Sequence, residues 1–299
     1  MEKVVEIKGL KKVFGKTQAL KDVSFDVTKG EIIGFIGPNG AGKSTTLRIL
    51  LGLIKADDGQ ASIFGKDVWN DAVEIHKRVA YVPGDVNLWP NLTGGEVIDL
   101  FLSMRGQKVD KERKEELIKR FEFDPTKKCR GYSKGNRQKV ALIAAFAADA
   151  DVYIFDEPTA GLDPLQERVF QKQAREVKAR GASIILSSHI LSEVEQLCDT
   201  VAIISQGKIV ESGSLNELRH LTRTQIIFKT KEDVPSLADQ DFAHNVAHEK
   251  GETIFQLDSD KMAEFLRFVE PYHVTKLESA PPKLEDLFMR HYETTKGGV

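Results

Sequence analysis

The stretch GFIGPNGAGKSTTLRILLGL, from Gly34 to Leu53, constrains this chain more than any other. EIIGFIG, ending at Gly37, is a short apolar run, and the residues after Lys43 place Leu47, Leu50, Leu51 and Ile54 at helical spacing. A strand, a bare loop and a helix in that order are the context that the pattern G-x-x-x-x-G-K-[ST] requires. The fit runs Gly37, Gly42, Lys43, Ser44. Glycines let successive N–H groups turn inward and approach phosphates without interference from Cβ, and a helix starting near Lys43 aims its positive end at the same point. Gly37, Pro38, Asn39, Gly40, Ala41, Gly42, Lys43, Ser44 and Thr45 are therefore read as a nucleotide-binding cradle. Lys43 is expected on the β- and γ-oxygens and Ser44 on Mg²⁺. A glycine turn that merely caps a buried helix is the plainer alternative.

Such a cradle does not choose among kinases, GTPases and motors, and the rest of the chain must. In DVYIFDEPTAGLDPL, Val152 to Phe155 reads as a buried parallel strand with Asp156 and Glu157 at its end. Asp156 is expected to hold Mg²⁺, directly or through water, and Glu157 to orient or deprotonate the water that attacks the γ-phosphate. No Asn-Lys-x-Asp guanine-reading motif is present, which counts against GTPase chemistry. YSKGNRQKVALIAAFAA starts with Ser133 as an N-cap and continues as a helix. Its first turn, with Gly135, offers a second anion site or simply an ordinary capped core helix. In ASIILSSHILSEVEQLCD, Ala182 to Ser187 is a further strand, and His189 stands just past its end, where open α/β sheets place ligands.

Together these motifs resemble the nucleotide-binding subunit of an ATP-binding cassette (ABC) transporter, over roughly Val4 to Gly213. GPNGAGKST matches the family's P-loop, VYIFDEP its magnesium strand and catalytic glutamate, YSKGN its signature, GLDP its dimer-contacting loop and SSH its switch histidine. The resemblance implies an ATPase in which two cassettes close head to tail around ATP and Mg²⁺. Ser133, Gly135 and Asn136 of one copy would then face the phosphate held by Lys43 of the other. It also implies Asp163 at the dimer seam, Phe14 stacked on adenine, and Glu157 and His189 as the catalytic pair. Two departures stand out. The signature reads Tyr-Ser-Lys-Gly-Asn where many members have Leu-Ser-Gly-Gly-Gln, and Gly84 in YVPGDVNLW occupies the place of a glutamine that senses Mg²⁺. Asp85, one residue on, carries an oxygen that Mg²⁺ accepts, with Gly84 giving the loop freedom to bring it in. A solvated turn residue is the plain reading of Asp85.

The expected fold class is α/β: a P-loop core with a mixed sheet over residues 1–213, a helical subdomain at about 85–148 within it, and a small α+β domain over 214–299. Strands are read near Val4–Lys8 and Ala19–Val27, at ASIFG and VAYVP, and in a hairpin turning at Gln206-Gly207. Thr93 and Glu96 form a capping box, and DKERKEELIKRFEF alternates acids with bases as a solvated helix face does. After Ser214, TQIIFKT, ETIFQL and YHVTKLE read as strands, and DKMAEFLRFVE and PPKLEDLFMRHYE as helices. LEDLF is similar to the tails of ATPase subunits in bacterial exporters of drugs, antibiotics or lipids.

A formal charge of −2 gives no global pull toward nucleic acid or anionic lipid. Cys129 and Cys198 lack histidines at metal spacing and suit a reducing compartment. The start MEKVVEIKGLKK does not read as a signal peptide, and no apolar run approaches the roughly 20 residues needed to span a bilayer. The expectation is a cytoplasmic ATPase, peripheral at the inner face of the membrane, that pairs with a second copy and powers export through a separate polytopic permease. Two alternatives remain at this point: a soluble cassette ATPase acting on nucleic acid or ribosomes, and a non-hydrolysing ATP-gated module. Tandem cassettes or a long coiled coil would favour the first, and the chain shows neither a repeat nor sustained heptads. Glu157 and His189 count against the second.

Overall fold

β1 (Lys3–Phe14) and β2 (Thr17–Thr28) alternate buried and exposed residues and pair antiparallel, with Leu10, Leu20, Val23 and Val27 turned into the core. The computed structural model from which this is taken describes residues 2–105, 110–220, 223–232, 234–235, 237–249, 251–258 and 260–280. β3 (Ile32–Ile36) is buried along its whole length and runs into the glycine loop and α1 (Lys43–Leu50). β4 (Asp58–Ile63) and β5 (Lys66–Asp67) extend the antiparallel edge, and α2 (Ala72–His76) leads to β6 (Val79–Val82).

The stretch expected to be helical contains α3 (Gly94–Met104), α4 (Lys111–Arg120) and α5 (Lys134–Ala147). Thr93 and Glu96 close the capping box in both directions, at 3.2 and 2.7 Å. In α4 only Leu117 is buried, so its charge run is a solvated face. The α5 sequence buries Val140, Leu142, Ile143 and Phe146. β7 (Val152–Asp156), α6 (Pro164–Ala179), β8 (Ser183–Ser188), α7 (Leu191–Leu197), β9 (Thr200–Ser205) and β10 (Lys208–Ser214) follow. The sequence reading did not include α6 or α7, although Asp163 as N-cap and Pro164 at the first helical position announce α6.

Ten strands form one sheet in the order β5-β4-β1-β2-β10-β9-β3-β8-β7-β6. Its antiparallel edge joins a parallel centre, where β3 pairs β8 and β9, β8 pairs β7, and β7 pairs β6. β3, β7 and β8 are buried throughout, as strands covered on both faces are. The hairpin turn falls at Gln206 and Gly207, both in the left-handed region (φ 46° and 77°), as a two-residue turn of this hand requires. Three neighbouring parallel strands, β3, β8 and β7, thus bring their carboxyl ends to one edge, with Ile36 opposite Ser188 and Asp156 opposite Ser187. No helix among the described residues is long and apolar enough to cross a membrane.

The chain divides into two compact units, Met1–Ser212 and Gly213–Val299. In the second, α8 (Leu215–His220) precedes a four-stranded antiparallel sheet, β12-β13-β11-β14, made of β11 (Thr224–Thr230), β12 (Ala243–Glu249), β13 (Glu252–Leu257) and β14 (Val274–Ala280). α9 (Met262–Val269) lays Phe265 and Val269 on this sheet's own core of Ile226, Phe228, Phe255 and Leu257. The helix read at PPKLEDLFMRHYE lies outside the described residues.

Candidate active site

The cradle is shaped by what its glycines leave out. A Cβ on Gly37 would stand 2.3 Å from the Ile204 carbonyl oxygen, and one on Gly42 would stand 2.6 Å from Leu20 Cδ2. Gly42 also holds φ 116°, a conformation that a residue with a side chain rarely adopts. It caps α1 without any side-chain acceptor, so the first-turn N–H groups of that helix have no capping partner. Asn39 and Gly40 are exposed, Pro38, Ser44 and Thr45 are half-buried, and Ala41 is buried. Lys43 is 5% exposed, and its ammonium donates to the carbonyls of Gly37 at 2.6 Å and Pro38 at 3.2 Å. Burial pushes the Lys43 pKa down, against the pull of Glu157 and Asp156, so this cation sits where an anion would be welcome.

The opposite wall comes from the ends of β7 and β8. Asp156 is buried at the end of its strand, and Ser187 of the paired strand donates its hydroxyl to Asp156 Oδ1 at 2.8 Å. At Glu157 the backbone turns into the left-handed region (φ 49°), unusual for a residue with a long side chain, while its N–H still donates to Ser187 at 3.0 Å. That turn aims the carboxylate back across the edge. Glu157 Oε1 lies 3.2 Å from His189 Nδ1 and 4.0 Å from Lys43 Nζ. Thus Lys43, the adjacent pair Asp156 and Glu157, and His189, from three separate stretches of the chain, share one site.

The remaining expected residues are held by other contacts. Ser133 caps α5 by accepting from the Asn136 N–H at 3.3 Å. Gly135 lies against Gly161, whose carbonyl oxygen would be 2.3 Å from a Cβ at position 135. The signature turn and the 161–163 loop of one chain therefore touch. Asp163 caps α6, accepting from the N–H groups of Leu165 and Gln166 at 3.0 Å each. Phe14, at the end of β1, is 49% exposed with the Lys12 ammonium 5.5 Å from its ring centroid, and Lys12 in turn binds Asp57. Gly84 keeps an ordinary backbone conformation beside the magnesium strand: a Cβ there would be 3.1 Å from the Asp156 carbonyl oxygen, a tight contact. Asp85 beside it is exposed. The sequence reading assigned no role to Ser187, Ser188, Thr159 or Glu193. The two serines and the threonine stand inside the quoted SSH and DEPT stretches, whereas Glu193 carries no signal of its own.

Comparison with known proteins bears on the same residues. The sequence pattern of the ABC transporter family matches residues 20–160, and that of the DrrA1-3-like ATP-binding protein C-terminal domain matches residues 213–292. The ABC transporter ATP-binding protein NatA of Bacillus subtilis (strain 168) is 35% identical over 213 residues, 70% of this chain and 87% of NatA. This chain belongs to the ABC transporter family of ATP-binding cassette ATPases. The Nod factor export ATP-binding protein I of Ralstonia nicotianae is 31% identical over 299 residues, covering 96% of this ABC ATPase and 93% of that protein. Among solved structures, an ATP-binding subunit of an ABC transporter shares 34% identity at a TM-score of 0.67, over 73% of this chain and 92% of its own. A cassette solved as a dimer in a post-hydrolysis state with ADP and Pi has a TM-score of 0.65 at 24% identity, over 71% and 98% of the two chains, which shows the shared fold.

Proposed function

We propose that this ABC ATPase hydrolyses ATP at the edge formed by β3, β7 and β8 and powers export of a substrate through a separate polytopic permease, as one of two facing copies. The observation that carries the reading is the meeting of Glu157 with Lys43 and His189. In this role the cradle N–H groups and Lys43 bind the phosphates. A water attacks the γ-phosphorus, Glu157 takes or orients its proton, and the bond to the β-phosphate oxygen breaks. His189 stands with Nδ1 3.2 Å from Glu157 Oε1, and its other ring nitrogen would face a γ-phosphate oxygen.

Magnesium supplies charge neutralisation for the phosphates, and Ser44 and Asp156 are the residues that would hold it. The donor set fits a metal that arrives with nucleotide. A buried carboxylate is oriented by Ser187, yet no cluster of three His, Cys, Asp or Glu side chains able to hold a metal occurs among the described residues. Phosphate oxygens and water would complete the shell.

The permease reading is supported by an apolar cavity of about 330 Å³ between the end of β6 and helices α3 and α5, lined among others by Tyr81, Phe101, Ala141 and Ala145. Trp89, 49% exposed, packs on Phe101 with ring centroids 6.0 Å apart. A short apolar segment of a membrane partner fits such a surface. The test is to capture the tagged chain from detergent-solubilised membranes and measure Mg²⁺-dependent ATPase activity with the captured partner in liposomes. The reading expects a polytopic membrane protein that raises the rate. A rate indifferent to that protein but raised by RNA or ribosomes overturns it.

A further inference from the structure

α7 brings a buried carboxylate to the back of the active site. Glu193 is 7% exposed. Its Oε2 accepts from the Ser188 hydroxyl at 2.8 Å, and its Oε1 accepts from the Thr159 hydroxyl. Ser188 ends β8 and immediately precedes His189, while Thr159 lies two residues after Glu157. Each is also tied into its own loop. Ser188 Oγ accepts from the Ile190 N–H at 2.9 Å, and the Thr159 carbonyl accepts from the Leu162 N–H at 2.9 Å, one residue before the Asp163 cap. Thr159 donates to one oxygen of Glu193, and the Ser188 hydroxyl has the other at 2.8 Å, nearer than its alternative acceptor, the Ile190 carbonyl at 3.5 Å, so the two carboxylate oxygens reach two different loops.

The helix that carries Glu193 is fixed from the other side. A Cβ on Gly34, inside β3, would stand 2.4 Å from Val194 Cγ1, so α7 sits directly on the strand that feeds the cradle. Burying a carboxylate is costly unless hydrogen bonds compensate it, and an apolar side chain would serve packing alone. Spending both oxygens on two different catalytic loops points to alignment of those loops.

We propose that Glu193 is a positioning residue: it locks the loop bearing Glu157 to the strand end bearing His189, holding the two in register for hydrolysis. This rests on the reading of Glu157 and His189 given above. The geometry it preserves is the 3.2 Å approach of His189 Nδ1 to Glu157 Oε1. The cradle is not part of the lock, so its loss leaves ATP binding in place and slows turnover.

The test measures kcat, KM for ATP, ATP affinity and Tm on the full chain for Glu193→Gln, Thr159→Val, Thr159→Ser and the double variant Glu193→Gln/Thr159→Val, with Glu157→Gln alongside. Glu193→Gln and Thr159→Val are expected to lower kcat by about tenfold each, with KM within about twofold of the parent. Thr159→Ser, which keeps the hydroxyl, restores kcat to within about twofold. The double variant falls no further than the weaker single, because both break one lock. A kcat per folded molecule within about twofold of the parent for both single variants overturns the proposal, and so does a loss confined to Tm. If Glu193→Gln does not fold, the Thr159 pair decides by the same criteria. Should Glu157→Gln hydrolyse ATP like the parent, the underlying site reading fails. Should Glu157→Gln be inactive while Glu193→Gln and Thr159→Val turn over normally, the lock alone fails.

Discussion

The cradle at Gly37–Thr45 and the edge that runs from Asp156 to Glu193 serve one site but are held by different means. In the cradle the backbone does the positioning: glycines at 37 and 42 admit Ile204 and Leu20 where side chains would collide, and α1 presents its uncapped first turn. At the edge, side chains position side chains, as Ser187 does for Asp156, His189 for Glu157, and Glu193 for Ser188 and Thr159. A backbone cradle is complete as soon as the local fold forms. A side-chain edge has several ways to fall out of register while the fold survives. Binding should therefore be robust at the cradle, and turnover should be the property that alterations at the edge remove.

That difference can be broken or sharpened by substitution. Lys43→Ala should have the largest effect, weakening ATP binding by about a hundredfold or more, since it removes a buried cation worth ~3 kcal/mol of charge-assisted bonding. Equilibrium binding with a fluorescent ATP analogue reads this, and unchanged affinity would remove the cradle from the account. Gly135→Ala should act on turnover, because its Cβ would meet the Gly161 carbonyl at 2.3 Å and push the 161–163 loop away. A loss of kcat of about thirtyfold with ATP affinity preserved is expected, ~2 kcal/mol at the transition state. An equal loss of affinity would show that the two regions are not separable.

Asp85→Ala is expected to lower Mg²⁺-dependent hydrolysis by about tenfold, or 1.4 kcal/mol, with Mg²⁺-free ATP binding unchanged. Rates within about twofold of the parent across a Mg²⁺ titration would assign Asp85 to solvent. The smallest effect belongs to Phe14→Ala. Loss of one half-exposed aromatic face should weaken ATP binding about threefold, roughly 0.7 kcal/mol, and titration with ATP against GTP would show whether the base is what it contacts.

The two regions also differ in how far the sequence reveals them. The cradle is written as a contiguous pattern because a backbone turn needs particular residues at fixed spacing, and Gly37, Gly42 and Lys43 could be placed between strand and helix without coordinates. The parallel strands ending at Asp156 and Ser188 were likewise legible from their unbroken apolar runs, which only a doubly covered strand tolerates. Their order was not. That β8 lies between β3 and β7 depends on pairing with a strand more than a hundred residues away, as Ile36 pairs Ser188, as well as with its nearer neighbour β7. Glu193 was invisible for a related reason. On its own it is one more acidic residue in LSEVEQL, and only the fold carries it beneath Thr159. At Gly84 the sequence shows a glycine but not its neighbour, the Asp156 carbonyl, 3.1 Å from where a Cβ would stand. α6 could have been found from Asp163-Pro164 and the spacing of Phe170, Ala174 and Val177.

The central claim is that Glu157 turns a nucleotide-binding cradle into an ATPase. Glu157→Gln keeps the shape of the side chain and removes its ability to accept the water's proton. Steady-state hydrolysis measured beside ATP affinity, on parent and variant under the same Mg²⁺, tests the claim most directly. The account predicts affinity within about twofold and turnover lower by about a hundredfold or more, with an ATP-bound dimer accumulating on gel filtration. Turnover by Glu157→Gln equal to that of the parent would contradict it.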